Sequence, residues 1–179
     1  LGSDVARAMG VPSPRLRRTG PKSYLSEWED SKSVEAGQVG EGTILSDQAK
    51  RMALMDLVTG NWDRKESNWL GRANGDGTYT PVAIDNAAMW SPKYVREVDE
   101  FGDDALGRVR RLRIIAGPGL FVVRNLNNRR DTEDIDWLSP EDLDIVKERL
   151  EALRPRFVAE GREKDLDWTL RNVDALRPL

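Results

Sequence analysis

The sequence predicts an α+β fold that is mainly helical and carries a small β-hairpin. The run Asn74-Gly75-Asp76-Gly77 is a strong hairpin turn signal, and strands are expected on either side of it, at 68–72 and 79–84. Most of the chain after the hairpin has apolar residues at helical spacing. With 179 residues, 39% apolar and 33% charged, the chain has the composition of one soluble globular domain that is long enough to bury a core.

Little regular structure is predicted over residues 1–42. Residues 4–9 are expected to end a helix, because Gly10 and the two prolines that follow it stop helices. The alternation of polar and apolar residues over 23–28 predicts a short strand. Residues 30–42 are small and polar with three glycines, so we expect a surface loop there.

A helix with a buried carboxylate is predicted next. Ser46 is a suitable N-cap and Gly60 a suitable stop for a helix over 47–59. The apolar stripe of this helix consists of Ala49, Met52, Ala53 and Leu57. Asp56 lies on or beside the stripe, where a carboxylate must be paired or hydrogen-bonded. We therefore expect Asp56 to be buried and to bond the following loop backbone or Arg64.

The C-terminal part is predicted to be helical. Ser91, followed by Pro92, is expected to open one helix, and Asp103 a second. Ser139 resembles the cap of a third helix, which would continue until Pro155. A last helix has apolar residues at helical spacing, namely Leu166, Leu170, Val173 and Leu176.

The composition excludes several classes of chemistry. The chain has no His and no Cys, which removes Ser-His-Asp triads, Cys nucleophiles, Cys/His zinc sites and disulfides. Any catalysis must use carboxylates, amides, hydroxyls, Lys and Arg, and we expect a hard cation to assist them.

The charge pattern gives no reason to expect a nucleic-acid partner. Lys and Arg total 28 against 31 Asp and Glu, a net charge of -3. One helix carries a basic cluster that consists of Arg108, Arg110, Arg111 and Arg113. This cluster either contacts phosphate or nucleic acid or, as we favour, is a solvated face. No apolar run approaches the ~20 residues that span a bilayer, so no membrane span is predicted. The lack of Cys favours a cytoplasmic location.

Two aspartates and an asparagine form the most informative pattern. Asp63 and Asn68 follow the predicted helix in the order D-x-x-x-x-N, and Asp85 ends the second hairpin strand. Phosphoryl transfer uses such a set, because one Asp accepts the proton of the attacking hydroxyl while an Asn and a second Asp hold a divalent cation. The alternative is that Asp63 only caps a turn. Trp62 and Trp69, which flank this segment, are interpreted as packing anchors.

These residues carry a resemblance to a known group of enzymes. Gly60-Asn61-Trp62-Asp63-Arg64 through Asn68-Trp69-Leu70, with Ala83-Ile84-Asp85-Asn86, resembles the catalytic and metal-binding loops of the atypical kinases. This group includes phosphatidylinositol 3- and 4-kinases, HipA-type bacterial kinases and the secretory-pathway Golgi kinases. Their shared pattern is roughly G-N-x-D-R-H-x-x-N-h-L, then h-x-h-I-D-[HNF]-G, where h is apolar. The strong match covers residues 56–86, and the match over 4–28 is weak.

The resemblance implies the large lobe of a kinase-like fold, which transfers phosphate from ATP to a hydroxyl with the help of Mg²⁺. Asp63 would be the catalytic base, and Asn68 and Asp85 would be the Mg²⁺ ligands. The hinge that holds the adenine of ATP would consist of Tyr24, Ser26, Glu27 and Trp28. Residues 1–42 would then be a hinge-like segment and a surface loop, and residues 43–179 would be the C-terminal lobe.

The chain departs from the family pattern at two positions. Lys65 stands where the pattern has His, and Ala87 where it has Gly, and neither is a metal ligand or the base. Upstream of Asp63, no glycine-rich loop, strand Lys or helix Glu can be assigned. We therefore expect a fragment of a longer protein, with the small lobe supplied by an upstream segment or another chain. The alternative function is a catalytically inactive kinase-like module with a structural, binding or assembly role.

Overall fold

A computed structural model describes residues 1–20, 23–26, 46–116 and 139–177. Within these ranges the chain forms seven α-helices and two antiparallel two-stranded sheets. The helices are α1 (Gly2–Ala8), α2 (Ser46–Thr59), α3 (Pro92–Asp99), α4 (Ala105–Ile115), α5 (Pro140–Glu151), α6 (Arg154–Ala159) and α7 (Glu163–Ala175). The strands are β1 (Leu16–Gly20), β2 (Ser23–Ser26), β3 (Trp69–Ala73) and β4 (Tyr79–Ala83). The predicted α+β class, mainly helical with a β-hairpin, is confirmed. None of the helices in these ranges is both long and apolar enough to cross a bilayer.

Most helix ends lie where the capping residues predicted them. α1 stops before Gly10, whose φ of +76° is the left-handed conformation that glycine adopts after a helix. α2 begins at Ser46 and ends directly before Gly60. Ser139 caps α5 by accepting a hydrogen bond from the Asp142 amide at 3.1 Å, and the Asp142 side chain bonds back to the cap. The predicted loop over 30–42 lies outside the described residues.

Two helix ends differ from the prediction. α4 is capped by Asp104, and not by Asp103, because the Asp104 carboxylate accepts a hydrogen bond from the Gly107 amide at 3.0 Å. α5 ends at Glu151 and does not continue to Pro155. Pro155 instead lies in the first turn of α6, where a residue without an N–H is tolerated.

α7 is the helix on which much of the core is built. It packs against α2, α4, α5 and α6, and its predicted apolar residues are buried. The buried Asn172 of α7 donates from Nδ2 to the Val58 carbonyl of α2 at 2.8 Å and accepts from Arg108 Nε of α4 at 2.6 Å. One amide therefore joins three helices and satisfies polar groups that would otherwise destabilise the core.

The hairpin brings two of the predicted site residues to one end of a sheet. β3 and β4 pair Trp69 with Ala83 in an antiparallel register. The Ile84 amide donates to the Asn68 carbonyl at 3.2 Å, which extends the pairing by one residue past the strands. Because Asp85 follows Ile84, Asn68 and Asp85 lie at the same end of the hairpin.

Asp76, in the hairpin turn, is held as a carboxylate by two hydrogen bonds. The Thr78 hydroxyl donates to Asp76 Oδ1 at 2.6 Å and the Thr78 amide at 2.9 Å, and these bonds lower the pKa of Asp76. Their stabilising effect is therefore complete at neutral pH and is lost as the pH falls through the lowered pKa. We expect an NMR titration to place the pKa of Asp76 below the usual 3.8 and Thr78→Val to raise it. An unchanged pKa in Thr78→Val would contradict this.

Candidate functional site

A buried ion pair joins α2 to the segment that precedes the hairpin. Arg64 donates from Nε to Asp56 Oδ2 and from Nη2 to Asp56 Oδ1, each at 2.9 Å. Asn61 Nδ2 also donates to Asp56 Oδ1, at 2.7 Å. All three side chains are excluded from solvent. The prediction that Asp56 is buried and bonds Arg64 is confirmed. The ion pair supplies the partner that a carboxylate in the core requires.

Arg64 uses its other N–H groups to hold the end of the hairpin. Nη1 donates to the carbonyls of Asn68 at 2.5 Å and Ile84 at 2.9 Å, and Nη2 donates to Asn86 Oδ1 at 2.7 Å. With the two bonds to Asp56, the five donors of the guanidinium meet five acceptors. Such a planar fork fixes geometry more firmly than an ammonium group. Arg64 therefore fastens the Asp63 segment to the hairpin end that carries Asn68 and Asp85.

Asp63 and Asn68 are in direct contact. Asn68 Nδ2 donates to the Asp63 carbonyl at 2.6 Å and to the carboxylate Oδ2 at 3.2 Å. The Asn68 amide oxygen accepts a hydrogen bond from the Ser67 hydroxyl at 3.2 Å. Lys65 Nζ lies 3.5 Å from Asp63 Oδ2, and the Asp63 side chain is 31% exposed. The carboxylate is thus oriented by Asn68 and remains accessible to a small molecule.

Asp85 has a strained backbone and an exposed side chain. Its φ of +49° and ψ of 62° place it in the left-handed region, which residues with a side chain seldom adopt. Its side chain is exposed, and it makes no hydrogen bond or ion pair with the other described residues. Strain of this kind concentrates at functional sites, where the surrounding structure imposes it.

Asn68 and Asp85 fit a hard cation by the chemistry of their oxygens. Mg²⁺ prefers such oxygen ligands and is usually held by one or two carboxylates together with substrate phosphates. Asp85 has no competing partner among the described residues, and the Asn68 oxygen has one long hydrogen bond. Within the described ranges, no group of three or more His, Cys, Asp or Glu side chains could hold a metal ion. A cation at this site would therefore take its remaining ligands from water or from a substrate.

A cleft of about 440 Å³ opens beside Asp85. Asn86 and Trp90 line it from the segment after the hairpin, and Arg156 and Arg162 line it from the C-terminal helices. Asp63 and Asn68 are not among its lining residues. Asp85 is therefore the predicted site residue that belongs both to the hairpin end and to the cleft.

The structure describes two of the four residues implied for the adenine hinge. Tyr24 and Ser26 lie in β2, which pairs antiparallel with β1. Glu27 and Trp28 lie outside the described residues. The role of these four residues stays a prediction.

Two interpretations made from the sequence hold for some of their residues, such as Trp69 and the exposed Arg110, and are wrong for others. Trp69 is buried, but Trp62 is 42% exposed and does not anchor the core. Arg108 does not belong to a solvated face, because it is buried against Asn172 and Asp99. Burial lowers the pKa of the Arg108 guanidinium, an effect that the Asp99 carboxylate partly offsets.

Four residues of the site and its cleft were not found from the sequence. Asn61 and Asn86 lie in the segments that were singled out from the sequence. Their amide side chains, close to Asp63 and Asp85 along the chain, were a usable signal. Arg156 and Arg162 are far from Asp85 in the sequence, and no local pattern connects them with it.

Gly60 shapes the start of the Asp63 segment. Its φ is +60°, and a Cβ there would lie 2.9 Å from the ring of the buried Trp168. We expect Gly60→Ala to lower the free energy of unfolding by about 2–4 kcal/mol, through left-handed strain and overpacking. Gly161→Ala is the matched control, since its φ is +66° and nothing lies within 4 Å of its Cβ position. Equal losses in urea denaturation would show that the Trp168 contact costs nothing.

Comparison with known proteins identifies no relative. The chain matches no protein-family model. It gives no significant match to a curated protein or to a solved structure.

Proposed function

We propose that this chain is the large lobe of an atypical kinase, which transfers phosphate from Mg-ATP to a hydroxyl group as part of a longer protein. The observation that supports this most strongly is the hydrogen-bond network of Arg64. It fastens the segment of Asp63 to the hairpin end of Asn68 and Asp85. An Asp base, an Asn and a second Asp are the residue types that phosphoryl transfer requires.

In this proposal Asp63 acts on the acceptor. Asn68 Nδ2 bonds Asp63 Oδ2, so Oδ1 is the atom that accepts the proton of the attacking hydroxyl. Removal of this proton makes the hydroxyl oxygen a better nucleophile. Asn68 and Arg64 act here as positioning residues, because they hold the carboxylate and its backbone in place.

Asn68 and Asp85 would hold Mg²⁺ through the amide oxygen and the carboxylate. When bound, Mg²⁺ neutralises charge on the transferring phosphate. Arg64 bonds the backbone carbonyl of Asn68 and that of Ile84, next to Asp85. Both ligands are thus preorganised by one buried side chain, and little reorganisation is needed when substrate binds.

A labelled-phosphate transfer assay with Mg-ATP tests this proposal. It is run on this chain and on the natural full-length protein, with peptide, sugar and lipid hydroxyls as acceptors and water as the default acceptor. We expect transfer by the full-length protein and none by this chain, in which no small-lobe Lys could be assigned. A full-length protein that neither transfers phosphate nor hydrolyses ATP would reject the proposal.

A catalytically inactive kinase-like module is the second candidate. The observation that favours it is the ion pair between Lys65 and Asp63 Oδ2, at the position where the kinase pattern has His. The pair is largely exposed on the Lys65 side, so its strength is small. If Asp63→Ala and Asp85→Ala leave the biological role of the full-length protein intact, this second candidate replaces the first.

A further inference from the structure

The cleft beside Asp85 contains charged groups that the proposed roles do not use. Its lining includes two arginines, Arg156 and Arg162, and a second carboxylate, Glu160. The arginine side chains are 50% and 42% exposed, so both guanidinium groups are accessible from solvent. They come from α6 and from the residue before α7, and only the fold brings them to the same cavity as Asp85.

Both arginines are held in place through their Nε atoms. Arg156 Nε lies 2.9 Å from Asp4 Oδ2, and Arg162 Nε donates to Asp165 Oδ2. The Arg162 guanidinium also lies 5.0 Å from the centre of the Trp90 ring. An arginine that is already ordered loses less conformational entropy when its Nη groups bind an anion.

The mixed charge of the cleft limits what it can bind. A free phosphate would be attracted by the arginines and repelled by Asp85 and Glu160. A phosphate that carries Mg²⁺ avoids the repulsion, because the Asp85 carboxylate meets the cation while guanidinium groups meet the phosphate oxygens. The cleft therefore suits a metal-bound polyphosphate better than a bare anion.

We propose that Arg156 and Arg162 bind the polyphosphate of the donor nucleotide in this cleft, an inference that rests on the proposed function. Asp63, which acts on the acceptor hydroxyl, does not line the cleft, whereas Asp85 does. The phosphate groups of the donor, and not the acceptor, therefore occupy it. The two guanidinium groups then neutralise charge on the phosphate oxygens from the large lobe, in the cleft that Asp85 also lines.

Titration calorimetry of this chain with tripolyphosphate tests the inference. We expect binding with excess MgCl₂ and binding at least about tenfold weaker with EDTA. Arg156→Gln and Arg162→Gln should each weaken Mg-dependent binding about tenfold, the scale of one lost charge-assisted hydrogen bond. Arg110→Gln is the matched control, because it removes the same charge from an exposed position of α4 that does not line the cleft.

Melting curves show whether each variant is folded before its binding is compared. If the wild-type chain does not bind Mg-tripolyphosphate, or if both folded cleft variants bind it as well as Arg110→Gln does, the inference is overturned. Glycerol 3-phosphate tests whether the phosphate comes from an acceptor instead. If glycerol 3-phosphate binds more weakly than Mg-tripolyphosphate, the result supports a cleft that binds the phosphates of the donor. If glycerol 3-phosphate binds more tightly, the inference of a donor site is overturned.

Asp63→Asn separates this inference from the proposed function. The variant should keep Mg-tripolyphosphate binding, because Asp63 does not line the cleft. Arginine-dependent binding without phosphate transfer by the full-length protein would reject the proposed function alone. If the full-length protein transfers phosphate but both arginine variants bind Mg-tripolyphosphate as well as the wild type does, the polyphosphate site alone is rejected.

Discussion

An Asp56→Ala variant is expected to lose about 3–5 kcal/mol of unfolding free energy, the usual cost of removing one partner from a buried ion pair. The substitution takes two acceptors from the buried Arg64 guanidinium and one from Asn61 Nδ2. For a domain of this size the loss is a large part of the total stability. Equilibrium denaturation in urea measures it.

The matched control for this variant is Asp167→Ala. Asp167 belongs to a half-exposed ion pair with Arg154, so its removal should change stability little. The double variant Asp56→Leu/Arg64→Met should be more stable than Asp56→Ala, because it removes both buried charges together. An Asp56→Ala protein as stable as Asp167→Ala would contradict the role given to the ion pair.

The proposed function predicts that Asp63→Asn in the full-length protein lowers kcat for phosphate transfer by about 10²–10⁴-fold, the contribution of a general base. Asn has nearly the same shape as Asp and can still accept the hydrogen bond from Asn68 Nδ2. It cannot take a proton from a hydroxyl. Steady-state transfer of labelled phosphate at saturating Mg-ATP measures the decrease.

Asp103→Asn controls for the loss of a carboxylate, because Asp103 is exposed and lies outside the site. Its kcat should equal that of the wild type. Asp85→Asn should raise the Mg²⁺ concentration needed for the half-maximal rate, since it weakens the proposed metal ligand. Equal kcat values for the wild type and Asp63→Asn would remove Asp63 from the mechanism.

Features that depend on neighbouring residues were predicted well. The limits of α2 follow from Ser46 and Gly60, and the hairpin follows from its Asn-Gly turn. The burial of Asp56 and its bond to Arg64 could be predicted because both lie within a short segment and a core carboxylate requires a partner. The same local patterns misplaced the cap of α4, where two adjacent aspartates compete for one role.

Features that depend on distant residues were not predicted. The charged residues next to Arg108 in the sequence predict a solvated side chain. In the structure, Asn172 on α7 gives Arg108 a buried acceptor. Arg156 and Arg162 reach the cleft of Asp85 only through the packing of the C-terminal helices. Periodicity identifies the apolar face of a helix, but it does not identify the polar residues, distant in the sequence, that contact the helix.

The contacts of Arg64 have a consequence for the order in which the chain folds. Its acceptors lie between Asp56 and Asn86 in the sequence. The most distant of them, Asn86, is 22 positions from Arg64. The bond between Asn172 and Val58 spans 114 positions. Closing a short loop costs less chain entropy than closing a long one, and local contacts favour fast folding. We therefore expect the hydrogen bonds around Arg64 to form early in folding and α7 to dock late.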